Sequence, residues 1–298
     1  MKAYLDLLKE VLNSENWKPS RAKVNGVPIG TKVIPGALIK HNLRQGFPLL
    51  TTKFVPIRLI SSELEWFISG SSRKEPLLEM KNNIWNEWWL GFDKPDANER
   101  DKNELGRVYG VQWTSWNKYI EDDKGNFKQV KINQLNNIIE MLKKNPYDRR
   151  MLCYAFNPAE VDQQALPACH TGFQIICTGL DKETNKNKIS ICFNMRSVDL
   201  ILGFSFNFAS YSLLLMLIAK QVDMIPEFVC AQLCDAHIYD NHIEGANLQI
   251  TREPYPLPTL TIKDPEDGSK FDIFKWKHTD LLLENYNHHP KISFEVAV

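Results

Sequence analysis

The chain has 298 residues, with 36 Lys and Arg against 36 Asp and Glu, 43% hydrophobic residues and 24% charged ones. This is globular composition, outside the apolar-poor, highly charged range of disordered chains, and a chain this long buries about three quarters of its unfolded surface without disulfide or metal staples. Zero net charge supplies no overall basic field for nucleic acid or an anionic membrane, so a bound anion must be held by a local cluster of arginines.

Tyr4, Leu7, Leu8, Val11 and Leu12 fall on one face and predict a first helix. The stretch Asn25 to Gly36, with Gly26, Pro28, Gly30 and Pro35, reads as loop and turn before an extended segment near Ala37–His41. A second helix begins near Pro56, carries Ile57, Ile60, Leu64 and Phe67 inward, and ends by Gly70. Asp93 to Glu104 is charged and polar, a solvated surface loop. Leu135, Ile138, Ile139 and Leu142 mark a third helix, stopped by Asn145-Pro146.

After Arg150 the texture changes. Met151–Phe156, Gly172–Thr178, Ile189–Met195 and Phe228–Leu233 are short β-rich apolar runs, with Asp181–Lys188 as a polar turn between two of them. A long apolar helix is expected from about Phe208 to Val222. Leu200 to Ala219 carries no charge and is long enough for a bilayer, but Gly203, Ser205, Asn207, Ser210, Tyr211 and Ser212 interrupt it. A helix buried on all sides in a soluble core is the expectation, and no membrane is involved. Helices and strands mix without a βαβ rhythm, which predicts one α+β domain spanning residues 1–298, with a mixed sheet. The six cysteines are scattered and no signal-peptide pattern opens the chain, which suits a reducing cytoplasm.

Several residues carry potential chemistry. Leu166-Pro167-Ala168-Cys169-His170 precedes a strand, and a Cys beside a His invites a Cys–His hydrolase reading. In an extended segment neighbours point to opposite faces, so His170 is poorly placed as base for Cys169. A buried free cysteine is the ordinary alternative. Arg149-Arg150 follows a helix end and Arg196-Ser197 follows a strand; paired guanidinium forks with a hydroxyl suit phosphate. An arginine near Cys169 would lower the thiol pKa from about 8.5 and supply thiolate. The carboxamide of Asn207 can offer donor and acceptor together to the imide edge of uracil, or serve as a satisfied core amide. Asp235, His237 and Tyr239 share one strand face, fit for a sugar hydroxyl. Cys230, Cys234 and His237 lack a zinc-like spacing and a fourth ligand, so no metal is expected.

Taken in order, Leu166–His170, Arg196-Ser197-x-Asp199 through Gly203-x-x-Phe206-Asn207-x-Ala209-Ser210-Tyr211, Asp148-Arg149-Arg150, Leu105-Gly106-x-Val108-Tyr109-Gly110-x-Gln112-Trp113 and Asp235-x-His237-x-Tyr239-x-x-His242 resemble the thymidylate synthase family. So do Phe47–Lys53, Glu63-Leu64-x-Trp66-Phe67, Ile84-Trp85-x-x-Trp88 and Arg252-Glu253-Pro254-x-Pro256-Leu257-Pro258. The motifs keep the family's order and cover nearly the whole chain.

The resemblance implies a mixed sheet flanked by helices, dimerising through the sheet face, and reductive methylation of dUMP by 5,10-methylenetetrahydrofolate. It implies Cys169 as the nucleophile at C6 of dUMP, Glu63 in proton transfer to the pyrimidine O4 and the folate nitrogen, and Tyr109 in the network that removes the C5 proton. Asp199 and Arg196 also fall in the catalytic set. Asn207 reads uracil, His237 and Tyr239 hold the 3′-hydroxyl, and His170 and Asp199 belong to the nucleotide site. Arg196 and Ser197 bind phosphate, joined by Arg149 and Arg150 of the partner subunit in a homodimer. Ile84, Trp85, Trp88, Leu166, Asp199, Gly203 and Phe206 line the folate site, Lys53 meets the polyglutamate tail, and Val298 closes the lid. No metal and no nucleic acid are needed.

The chain also departs from the family pattern. The usual Arg-Thr-Gly-type loop after the first helix is missing, and Arg21, in Arg21-x-Lys23, takes its phosphate role in a rearranged loop. Ala168 replaces a commoner proline, Met195 a polar residue, Ser205 a frequent proline, and Ser62 a histidine that often precedes the glutamate. A dUMP hydroxymethylase shares the covalent intermediate and adds water in place of hydride. A non-catalytic nucleotide- or folate-binding regulator is disfavoured by the joint presence of Cys169, Glu63, Tyr109 and the arginines.

Overall fold

A computed structural model describes residues 2–296. Its elements in chain order are α1 (Lys2–Asn13), β1 (Trp17–Val24), β2 (Val27–Asn42), α2 (Ile57–Ser69), α3 (Glu75–Glu79), α4 (Tyr109–Thr114), β3 (Trp116–Glu121), β4 (Phe127–Ile132), α5 (Gln134–Lys144), β5 (Leu152–Tyr154), β6 (His170–Leu180), β7 (Asn187–Asp199), α6 (Gly203–Gln221), β8 (Ile225–Tyr239), α7 (Ile243–Ile250), β9 (Thr259–Ile262) and β10 (Leu281–Glu284). The main sheet runs β1-β2-β8-β7-β6-β5. Its pairs are antiparallel except β7 with β8, which are parallel and joined across the sheet by α6. This is the expected mixed α+β architecture.

Period-two alternation sorts the strands into two faces. Phe173, Phe193, Ala231 and Ile39 form one cross-strand row, and Ile175, Ile191 and Val229 a second, all buried. Helix α6 covers this face, with Leu213, Leu214, Leu215 and Leu217 fully buried. By length and composition α6 could cross a bilayer, but it is apolar all round because the sheet and α2 enclose it. On the opposite face, Leu152, Gln174, Cys192, Cys230 and Lys40 make one row, and Tyr154, Gly172, Asn194, Gln232 and Leu38 the next. Leu38, Leu152, Tyr154 and Ile176 are exposed there.

Helix α2 starts after Pro56 and stops at Gly70, whose φ of 71° ends the helix with its N–H on Phe67 O. Helix α5 ends at Asn145, as Asn145-Pro146 requires. Helix α6 begins five residues before Phe208, at Gly203; the polar residues there do not break it, and the Ser205 hydroxyl donates back to Leu202 O. One expectation fails: Asn25 to Gly36 is not a loop. Asn25 (φ 51°) and Gly26 (φ 79°) form the two-residue turn of a β-hairpin, and Val27 onward is continuous strand β2. Asn-Gly is the favoured turn because both positions need positive φ, and the prolines lie where the hairpin forms the sheet edge.

Candidate active site

The Pro167–Cys169 loop is fastened from β7. The Arg196 guanidinium donates to Pro167 O (2.7 Å) and Ala168 O (2.8 Å), and its backbone N–H donates to Cys169 O at 2.9 Å. From the other side the Cys169 N–H donates to the Tyr109 hydroxyl at 2.8 Å, and the Ala168 N–H donates to Gln164 Oε1 at 3.2 Å. The half-buried thiol is therefore presented by backbone bonds on both sides. Burial raises its pKa, with Arg196 and the Tyr109 hydroxyl pulling the other way. The arginine acts in the expected direction, but the net shift in the free site is upward, because desolvation outweighs one guanidinium engaged with carbonyls.

His170 is no base for Cys169. Its ring lies against Tyr109 (centroids 4.0 Å, planes 16° apart), Nδ1 is 2.8 Å from the Tyr211 hydroxyl, and burial pushes its pKa down to about 3. Tyr109 opens α4 and also meets Phe67 (5.0 Å) and Trp85 (6.0 Å). On α2, Glu63 receives Trp85 Nε1–H at 2.8 Å. Burial raises its pKa to about 7, and the indole bond offsets part of the rise. Charge on either Cys169 or Glu63 bears on Tyr109, whose hydroxyl burial holds well above its ordinary pKa. Thiol and carboxyl thus flank one tyrosine.

The neighbouring strand ends bring up the polar residues. Asp199 and His237 are register partners on β7 and β8. The carboxylate of Asp199 accepts the Ile201 N–H at 2.9 Å, fixing the turn into α6. His237 Nδ1 is 3.2 Å from Asp235 Oδ1, and its ring stands edge-on to Tyr239 at 5.2 Å. Burial and the charges of Asp199, Cys169 and Asp235 push Tyr239 up to about 12, while Arg21 pulls it down. Arg21 lies on strand β1 rather than in a loop, in the stretch where pairing shifts between Pro19 and Lys23. Gly203, the first residue of α6, lies beside Asn207 and Asp199: a Cβ there would meet Asn207 Oδ1 at 3.6 Å and Asp199 Cβ at 3.8 Å, ordinary contact distances. Ser197 is half-buried beside Arg196 and pairs in register with Asp235.

The candidate folate residues are apolar and partly open. Trp85 is buried, Trp88 stands edge-on to it at 6.1 Å, and Ile84, Leu166 and Phe206 are half-buried. A flat, aromatic-lined wall suits a pterin ring. Lys53 is buried: its ammonium bonds to Ile201 O and lies 5.1 Å from the Phe294 ring, and desolvation lowers its pKa to about 8. Arg149 and Arg150 are exposed and stand apart from this cluster; Arg150 pairs with Asp148 at 2.7 Å, and Arg149 O accepts from Gln174 on the open sheet face. Val298 lies outside the described residues. Cys230 and Cys234 fall on the opposite sheet face from His237, and no cluster able to hold a metal ion occurs among the described residues.

Sequence reasoning missed Gln164 and Tyr211 as supports of the Cys169 loop and of His170, and Asn82 beside Ser62. Each sits beside other polar residues, and nothing local to the sequence singles it out from its neighbours.

The family model for thymidylate synthase matches residues 2–298. A curated thymidylate synthase of Mycoplasma pneumoniae is 36% identical over 317 aligned residues that cover 100% of both chains.

Proposed function

This chain belongs to the thymidylate synthase family of methyltransferases, and from that premise we propose that it converts dUMP to dTMP with 5,10-methylenetetrahydrofolate. The observation that carries the reading is Tyr109 between a half-buried thiol and a buried carboxyl whose pKa lies near 7.

In this reading the Cys169 thiolate adds to C6 of dUMP, and C5 becomes nucleophilic. The folate supplies the methylene carbon and then a hydride, and leaves as dihydrofolate. Glu63, able to hold or give up a proton near neutral pH, moves protons at the pyrimidine O4 and the folate nitrogen. Tyr109 and the Asp199 side of the pocket serve loss of the C5 proton. Arg196 anchors the nucleophile loop with one side of its guanidinium and takes phosphate with Ser197 and Arg21. Asn207 reads the uracil edge, His237 and Tyr239 take the 3′-hydroxyl, and His170 stays neutral and holds Tyr109 in place. Ile84, Trp85, Trp88, Leu166, Gly203 and Phe206 line the folate site. Lys53 can meet the folate's acidic tail only by exchanging its bond to Ile201 O, and Val298 completes the closed site.

The open sheet face, with Leu38, Leu152, Tyr154 and Ile176, is the homodimer surface in this reading. Arg149, tied to Gln174 on that face, would then reach a neighbour's phosphate with Arg150. One catalytic domain over residues 1–298 and a cytoplasmic location complete the proposal.

Mass analysis of the nucleotide made from dUMP and methylenetetrahydrofolate tests it. A methyl product with one dihydrofolate per turnover is expected. Release of 5-hydroxymethyl-dUMP without dihydrofolate would make the protein a hydroxymethylase.

A further inference from the structure

We infer that Asn82 is a positioning residue for the Glu63–Trp85 pair, locking helix α2 to the loop that carries Trp85; the inference rests on the thymidylate synthase reading of that pair. Asn82 is 1% exposed and Ser62 is fully buried. Asn82 Nδ2 donates to Leu59 O and to Ser62 Oγ, both at 2.9 Å, and its Oδ1 accepts the Ile84 N–H at 3.2 Å. Both amide protons and the carbonyl are thus engaged.

The placement gives the clamp its consequence. Ser62 immediately precedes Glu63, and Ile84 immediately precedes Trp85. One side chain therefore ties together the residues that immediately precede the carboxyl and the indole in the chain, through the Ser62 hydroxyl and the Ile84 N–H. Ser62 is held in turn, its hydroxyl donating to Arg58 O at 2.7 Å, and the Asn82 N–H donates to Leu77 O at 2.8 Å. Lys81, immediately before Asn82, has φ 55°, a left-handed conformation that a residue with a side chain rarely adopts unless its surroundings hold it. Bonds to α2 hold the loop there: the buried Asn82 amide, and at the surface the Arg58 guanidinium, which donates to Met80 O and Lys81 O. The serine at position 62 is small enough to leave room for the Asn82 amide, which donates to its hydroxyl.

Freed from the clamp, the indole would no longer be delivered to Glu63 at a fixed distance. Two readouts follow. The indole bond favours the ionised carboxylate, so its loss moves the Glu63 ionisation to higher pH. The folate wall loosens while the nucleotide residues on β7, β8 and α6 stay where they are.

The test uses the full chain with Asn82→Val, which deletes all three bonds, and Asn82→Ser, which keeps a hydroxyl able to cap the Ile84 N–H but cannot reach α2. For Asn82→Val the expected result is a Michaelis constant for methylenetetrahydrofolate raised about five- to tenfold. The Glu63 limb of the pH–rate profile shifts upward and the dUMP dissociation constant stays within about twofold. Asn82→Ser falls between parent and Val. If Asn82→Val does not fold, Asn82→Ser decides alone by the same shifts. A folded variant with the parent's folate Michaelis constant and pH profile overturns the inference. Inactivity of the parent on dUMP and folate would instead overturn the functional reading beneath it.

Discussion

The backbone N–H of Arg196 donates to the carbonyl of Cys169 at 2.9 Å, while the Arg196 side chain holds the two carbonyls before it. A cation is thereby built into the framework of the Cys169 loop. Even so, burial keeps the thiol pKa raised, against the pull of Arg196 and the Tyr109 hydroxyl. Cys169→Ser should lower turnover by about 10⁴-fold or more, because a serine hydroxyl gives up its proton far less readily. Binding of dUMP, measured by calorimetry, should persist, since the phosphate and sugar contacts are untouched. Near-normal turnover in this variant would remove Cys169 as nucleophile.

Glu63 offers a test by stability. Its folded pKa is about 7 against an ordinary 4.5, because it is buried. The folded state therefore binds its proton more tightly than the unfolded chain does. Stability from this group is fully present below pH ~4.5 and declines as pH rises toward ~7. Glu63→Gln, which keeps an oxygen for the Trp85 indole, should abolish activity yet raise stability at pH 8 by about 1–3 kcal/mol. At pH 4.5 the two proteins should match. Equal denaturation midpoints at pH 8 would mean that Glu63 is ionised at little cost.

Arg149 and Arg150 are exposed, in the loop between α5 and β5, and Arg150 pairs with Asp148. An Arg149→Ala/Arg150→Ala chain and a Cys169→Ser chain should each be inactive. Mixed and allowed to exchange, they should regain activity, because in the proposed homodimer one site of each heterodimer has both its own thiol and borrowed arginines. Exchange shown by mass spectrometry without regained activity would put the arginines outside the site.

Trp85 meets Glu63, Tyr109 and Trp88 at once. Truncation to glycine opens a void where water can compete with hydride. Trp85→Gly should depress methyl formation more than exchange of the C5 proton, and raise any hydroxymethyl product. Equal losses in both steps would assign Trp85 to packing alone.

Gly110 tests the seat of Tyr109. A Cβ there would lie 2.3 Å from Phe67 O and 2.7 Å from Phe67 Cα, backbone atoms that cannot swing aside. Gly110→Ala should therefore cost about 1–3 kcal/mol, read from the urea midpoint. It should also slow turnover by tilting Tyr109 away from Cys169. A midpoint within error of the parent would show that α2 and α4 separate freely.

The amino-acid sequence alone determined the helices with clean apolar faces, the strand runs after Arg150, the buried character of α6 and the family, because these reside in local periodicity and ordered motifs. It also marked Cys169, Glu63, Tyr109, Arg196 and Asn207 by residue type and motif. It did not disclose that Asn25-Gly26 turns a hairpin, since prolines and glycines at a sheet edge look locally like those of a loop. Nor could it weigh burial against charge: Arg196 draws the Cys169 pKa down, yet enclosure wins, and only tertiary structure decides how much water each group loses. The same holds for His170, silenced by Tyr109 and Tyr211, and for Lys53, enclosed under Phe294. Asn82 is the plainest case. Its bonds reach 20 and 23 residues back along the chain, to Ser62 and Leu59, and no spacing rule links a loop amide to the far side of a helix; packing alone brings them together.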